Sequence, residues 1–286
     1  MELNMKPCRE KSLIFIHIPK AAGVTFSSIL DRQYKSYEVF TVHGSKVKES
    51  IGEFVNLPKE KRGRIRLLKG HMEFGLHKHF PHPSTYVTIM RNPVERTISH
   101  YYYVLQTPSH YLYDTVISND MTIEEYVSSG ISTELDNGQL RMIAGQAAGN
   151  DDIPFGKCSR VLLEKAQYNI RKYFAVLGVV EDFDETLVLI KQEMGWKGFP
   201  FYYKRNVTRR RPTQKSLPEG TIRTIEANNA LDCELYEFAK KALEEKIRSQ
   251  ASFKTKFLIF LVLNSAYKQI AERRMLHSTL RKIRYL

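Results

Sequence analysis

Along this chain short unbroken apolar runs alternate with stretches in which apolar residues recur every three to four positions, a pattern of strands followed by helices. The run Leu13-Ile14-Phe15-Ile16 predicts a strand at 12–18, with a helix following to about 35. Further strands are predicted near 65–69 and at 86–90, and Pro93 opens a helix over 94–105. Residues 111–172 read as mostly helical. They lead to a strand at Phe174-Ala175-Val176-Leu177-Gly178-Val179-Val180 and to periodic, charged helices at 184–194 and 219–247. Runs apolar on successive residues are buried on both faces, so the expected fold class is α/β: a P-loop-like three-layer α/β/α arrangement with a central, mostly parallel sheet. Ligand sites in such a sheet lie at the strand ends.

The first strand runs into a turn of small residues carrying Lys20, Gly23, Thr25 and Ser27, and then into a helix. Backbone N–H groups of such a turn, the helix N-terminus and a lysine can together surround an anionic oxygen. The spacing is not Gly-x-x-x-x-Gly-Lys-Ser/Thr, because the lysine precedes the glycine. The strand expected beside the first, Tyr86-Val87-Thr88-Ile89-Met90, ends in Arg91-Asn92-Pro93 instead of the carboxylate that a Mg-dependent phosphotransferase would use. Arg91 with Ser99, or with Thr97 within the same helical turn, makes a second anion site. Two anion sites without a metal carboxylate fit a ligand with phosphates at both ends, and no metal is expected.

An acceptor hydroxyl must lose its proton as it attacks, which calls for a base. His71 follows the apolar segment 65–68 and Gly70, so it should project from a strand end on the side of the two phosphate loops. It is the expected base, with Glu73 as a candidate helper. His77 and His79 read as surface histidines, since His-x-His without a nearby cysteine is poor evidence of a metal site.

At these residues the chain resembles the carbohydrate-type sulfotransferases, sulfotransferase family 2, which include the heparan sulfate 2-O- and 6-O-sulfotransferases. The resemblance covers roughly residues 12–240. It rests on His17-Ile18-Pro19-Lys20-Ala21-Ala22-Gly23-Val24-Thr25-Phe26 and on Met90-Arg91-Asn92-Pro93 through Ser99. Further fragments agree: Lys69-Gly70-His71-Met72, Asp136-Asn137-Gly138-Gln139-Leu140-Arg141, Gly178 to Phe183, and Asp232-Cys233-Glu234-Leu235-Tyr236. It implies a sulfotransferase fold and O-sulfation with 3′-phosphoadenosine 5′-phosphosulfate (PAPS) as donor, leaving 3′-phosphoadenosine 5′-phosphate (PAP). The implied 5′-phosphosulfate loop is Lys20, Ala21, Ala22, Gly23, Val24, Thr25 and Phe26; Arg91 and Ser99 would hold the 3′-phosphate. Lys20 would also act in catalysis beside the base His71, whose Gly-His setting the relatives share. Ala21-Ala22 departs from the Thr-Gly or Thr-Ala of many members, which removes one hydroxyl contact.

The basic run 204–215 is expected to form a lid over the donor or a contact for an acidic acceptor, with Arg209, Arg210 and Arg211 as candidates. Asn137, Gln139 and Arg141 would either meet the ligands or cap a helix on the surface. Tyr101-Tyr102-Tyr103 is expected to pack its helix on the sheet and line nothing.

Composition adds less. With 286 residues, 42% of them hydrophobic, the chain reads as one sulfotransferase domain over 1–286, with a mostly helical insertion at 111–172 and a basic helical extension at 248–286. Net charge +13 attracts anions without choosing among them. Three widely spaced cysteines, Cys8, Cys158 and Cys233, fit a reducing compartment better than a disulfide framework. The N-terminus shows no apolar signal region, so the expectation is a soluble, cytoplasmic bacterial enzyme, the alternative being a truncated Golgi-lumenal domain. The expected partner is a hydroxyl-bearing small molecule or glycan and not nucleic acid. The apolar run 257–263 is too short to span a bilayer as a helix. A weak membrane-surface contact through the C-terminal helix, or a homodimer, is a secondary expectation. Two rivals remain: an ATP/Mg-dependent small-molecule kinase and a non-catalytic basic polyanion-binding module.

Overall fold

The structure, a computed structural model, describes residues 11–145, 153–203 and 212–283, with side chains to residue 271. The order begins β1 (Ser12–Ile16), α1 (Gly23–Gln33), β2 (Val39–Val42), α2 (Val47–Asn56), α3 (Lys59–Gly63), β3 (Leu67–Gly70) and β4 (Ser84–Met90). It continues α4 (Pro93–Leu105), α5 (Tyr113–Ser118), α6 (Ile123–Ser128), α7 (Gly138–Ala144), α8 (Arg160–Tyr173), β5 (Phe174–Val179) and α9 (Phe183–Met194). The chain then runs through α10 (Glu219–Asn228), α11 (Ala230–Ser249) and α12 (Phe253–Ile283). The expected α/β class is the one observed.

The five strands form one sheet in the order β2-β3-β1-β4-β5, every described pairing parallel. Ser12 to Ile16 are all buried, as a central strand covered on both faces requires. β4 is the neighbour of β1 that its apolar run predicts, paired from Ser12↔Ser84 to Ile16↔Thr88. From β1 the chain builds the sheet outward through β2 and β3, then crosses to β4 and β5 on the other side. The crevice above the C-terminal ends of β1 and β4 is therefore the switch point at which such sheets bind ligands.

Two features of the elements differ from the periodicity. β2 was not predicted, because Val39-Phe40-Thr41-Val42 is a short, half-buried edge strand with no long apolar run. The helix predicted over 219–247 is two, broken at Asn229, whose side chain is used elsewhere. Asn229 Nδ2 donates to the Leu135 carbonyl (3.1 Å) and its Oδ1 accepts the Asn137 N–H (3.2 Å).

The main hydrophobic core lies on both sides of the sheet, and a smaller cluster joins α4, α5, α6 and α10 around Ile98, Tyr126 and Ile225. Gly70 is required where β3 ends. Its φ is +143°, and a Cβ there would stand 2.1 Å from the Val42 carbonyl oxygen. The close approach of β3 to β2 thus fixes where the next residue, His71, leaves the sheet.

Candidate active site

The predicted functional residues follow the C-terminal ends of three adjacent strands: Lys20 after β1, His71 after β3 and Arg91 after β4. Lys20 and Ala22 both have left-handed backbone, φ 65° and 59°, so the loop turns sharply onto the first turn of α1. The first hydrogen bond of that helix is Phe26 N–H to the Ala22 carbonyl (3.1 Å). Gly23, Val24 and Thr25 thus contribute the first-turn N–H groups that a phosphate would meet. Phe26 corrects the sequence reading as far as its side chain goes: it is fully buried, edge-on to Phe15 with ring centroids 4.7 Å apart, and belongs to the core.

Left-handed backbone at a residue with a Cβ costs about 1–2 kcal/mol, and glycine returns about 0.5–1 kcal/mol of that as entropy. Ala22→Gly is accordingly expected to raise stability by about 0.5–1 kcal/mol, read by thermal unfolding, without weakening nucleotide binding. A lower melting temperature would show that position 22 does not carry this strain.

Arg91 joins the second motif to the first. Its Nη1 donates to the Lys20 carbonyl (3.2 Å), and Nη2 meets Glu95 Oε2 (3.2 Å). Asn92 caps α4 by accepting the Glu95 N–H (3.1 Å), with Pro93 at the first helical position. Glu95, Ser99 and Tyr103 succeed one another at four-residue spacing and form one row of α4, which Arg91 joins from before the helix through its contact with Glu95. The row ends with the Lys20 ammonium 3.6 Å from the centroid of the Tyr103 ring. Ser99, not Thr97, lies on this row; Thr97 Oγ1 is buried without a partner.

Asn137, Gln139 and Arg141 are buried, which corrects the surface-capping alternative. Gln139 brackets the Arg91 backbone, accepting its N–H (3.0 Å) and donating to its carbonyl (2.9 Å). Asp232, fully buried, accepts the N–H groups of Gln139 (3.1 Å) and Leu140 (2.7 Å) at the start of α7. The two fragments around residues 136 and 232 are therefore one support that holds Arg91 in place. Arg141 pairs with the buried Asp136.

His71 stacks on His17, ring centroids 4.2 Å apart, and His17 lies in turn 5.5 Å from the Phe15 ring. Burial, then the neighbouring His71 and Lys69, push His17 down to about 3. Burial also lowers His71, against the opposing pull of the Glu134 carboxylate and the His17 backbone. His71 Nδ1 is buried without a hydrogen-bond partner. His71 thus leaves the sheet on the predicted side, held as a neutral imidazole. His17, present in the motif but not marked out by sequence, is its neighbour. The imidazole at the end of an apolar strand was the available signal.

A cavity of about 1500 Å³ opens here, lined by Lys20, His71, Glu73, Met72, Arg96 and residues of the insertion. Arg91, Ser99 and the first turn of α1 lie outside its lining, so Lys20 sits where the anion motifs meet the cavity. Tyr103 departs from its expected packing role: it lines the cavity with His110 and Tyr111, the last two stacked at 4.8 Å. Tyr103 is 38% and Tyr111 64% exposed, an aromatic wall open to solvent. Beside it, within 3.5 Å of the Tyr111 hydroxyl, Glu134 meets His100 Nε2 (3.2 Å). Burial alone would raise Glu134, but the His100 hydrogen bond and the charges of His100, Arg96 and His110 take it down to about 2. Sequence could not find His100, His110, Tyr111 or Glu134 because the pairing of the insertion with α4 exists only in the fold.

His77 Nδ1 lies 2.9 Å from the Tyr86 hydroxyl, a structural contact. Among the described residues no cluster of three or more His, Cys, Asp or Glu side chains is placed to hold a metal. Arg209, Arg210, Arg211 and the rest of 204–211 lie outside the described residues.

This arrangement is one in which a strand-loop-helix turn with Lys20 and a strand-end arginine flank His71, which lines a cavity that Arg91 and Ser99 do not. The family model described as galactose-3-O-sulfotransferase matches residues 3–257, and the chain belongs to this sulfotransferase family. It is similar to heparan sulfate 2-O-sulfotransferase 1 of Gallus gallus, 24% identical over 282 residues spanning 90% of this chain and 78% of the relative. Heparan-sulfate 6-O-sulfotransferase 1 of Homo sapiens is 27% identical over 188 residues, 58% of this chain and 45% of the relative. Among solved structures, mouse sulfotransferase SULT7A1 complexed with PAP aligns at a TM-score of 0.34 and 11% identity, over 78% of this chain and 64% of that one.

Proposed function

We propose that this sulfotransferase moves the sulfuryl group of PAPS to a hydroxyl of a glycan or small natural product by in-line transfer, with His71 as the base. The observation that carries the reading is the Arg91 guanidinium bonded to the Lys20 carbonyl. It joins two anion sites side by side at the switch point, at a separation fixed by adjacent strands. The residues fit the donor. Lys20 and the first-turn N–H groups of α1 would hold the 5′-phosphosulfate, and Arg91 with Ser99 the 3′-phosphate.

In the transfer, Lys20 and the helix N-terminus stabilise the negative charge that grows on the bridging oxygen of the leaving phosphate. Arg91, at the non-reacting end, converts binding into alignment. His71, neutral in its buried setting, takes the acceptor proton as the oxygen attacks sulfur. The aromatic wall of Tyr103, His110 and Tyr111 offers flat apolar faces beside polar partners, a surface suited to a sugar ring, and the names of the heparan sulfate relatives support a glycan acceptor.

Calorimetry with PAP in EDTA, beside ATP with Mg, tests the donor assignment. Metal-free PAP binding that Arg91→Ala weakens about tenfold to a hundredfold is the expected result, the range for one charge-assisted pair. A preference for ATP with Mg would overturn the reading in favour of a kinase. Binding of any polyanion with a steep salt dependence and no effect of Arg91→Ala would favour a basic binding module.

A further inference from the structure

The outward face of α12 is apolar where a solvated helix would be polar. Phe253, Phe260 and Asn264 fix the other face to the protein: Phe260 stacks on Phe201, and Asn264 Oδ1 accepts the Tyr202 N–H (2.9 Å). Leu258, Ile259, Val262, Leu263 and Ile270 remain exposed, Leu258 and Val262 by 62% and 69%. At 100° per residue these five fall within an arc of about 140°. Lys254 and Lys256, both exposed, flank the two margins of that arc, and no acidic residue occurs from 251 to 271. Because both faces are apolar, the helix shows no net amphipathic pattern in its sequence, and the surplus face becomes visible only once the packed one is known.

No described helix is long and apolar enough to cross a membrane. A second copy of this chain would bring equal lysine margins together on two molecules each carrying +13. An apolar stripe edged by lysines instead matches the boundary between acyl chains and acidic headgroups. We propose that α12 docks this protein in the interfacial plane of an anionic lipid surface, with the Leu258–Val262 stripe inserted and Lys254 and Lys256 at the headgroups.

Flotation of the full chain with vesicles tests this, using phosphatidylcholine alone and a mixture of three parts phosphatidylcholine to one of phosphatidylserine, at low and high salt. Binding to the mixed vesicles, weakened by salt, is expected. A Leu258→Ser, Val262→Ser double variant should lower partitioning about tenfold or more. Lys254→Glu and Lys256→Glu should each lower it about fivefold or more. Circular dichroism and unchanged PAP affinity would show that these surface variants fold. Absence of binding to the mixed vesicles overturns the proposal. So does salt-sensitive binding indifferent to Leu258→Ser, Val262→Ser, which would trace the attraction to net charge alone. A dimer seen by light scattering, abolished by the same pair in a protein that ignores vesicles, would give the face to a second copy and overturn it equally.

Discussion

His71→Ala should lower turnover by about 10²–10⁴-fold, the range for loss of a positioned base, while PAP affinity stays unchanged. The two readouts separate because His71 follows β3 and lines the cavity, whereas the anion motifs follow β1 and β4. The pH dependence has a definite sign. A base must be neutral to take a proton, and burial lowers His71 below the usual histidine value. Turnover should therefore rise as pH passes through that lowered value and run level above it, with its acid limb below about pH 6.5. The stacked His17, the neighbouring Lys69 and Glu134, which lines the same cavity, are the charged and titrating groups in play. Full transfer by His71→Ala, measured with labelled sulfuryl donor across an acceptor screen, would remove His71 as the base.

Lys20→Ala should lower turnover by about 10²–10³-fold, the scale for one group aimed at developing charge. PAPS affinity should fall much less, because the unreacted donor does not yet carry the charge that grows on the bridging oxygen, whereas PAP, in which that charge is complete, should bind more weakly to the variant. Arg91→Ala is the contrast. It acts at the far end of the donor, so its loss should appear mainly in KM for the donor, with a smaller fall in turnover. Lys20→Arg should not restore the rate, since a planar fork does not reproduce a compact ammonium positioned over the Tyr103 ring. Equal effects of Lys20→Ala and Arg91→Ala on KM alone would place both residues in donor binding and neither in the chemical step.

What sequence made legible follows from which forces are local. The strands at Leu13–Ile16 and Tyr86–Met90 are buried throughout and Phe174–Val179 from Val176 on, so each reads as a predominantly apolar run. Lys20 and Arg91 were readable because each leaves such a strand within a few residues, and His71 because it leaves the apolar β3. β2 was not, since an edge strand of four residues needs little apolar patterning. The break at Asn229 was hidden because a buried asparagine that accepts from Asn137 and donates to Leu135 looks, in sequence, like an ordinary polar position in a helix. Gln139 and Asp232 announced their region but not their task. Gripping the Arg91 backbone and the start of α7 are contacts across more than 40 and 90 positions, which no local pattern encodes. The wall of Tyr103, His110 and Tyr111 spans only nine positions, yet that these rings share one side of α4 is settled only by the fold.

Gly23 and His17 form a single constraint. The glycine has an ordinary helical φ, yet a Cβ on it would lie 1.9 Å from the His17 ring. What excludes a side chain at 23 is therefore the imidazole laid across the start of α1, not the backbone. Mutational drift at the two positions is coupled in one direction. A chain that first exchanges His17 for a small residue can then admit alanine or serine at 23, whereas one that changes 23 first meets a clash. The order in which this loop can diversify is thus written into the contact between two side-chain positions six residues apart.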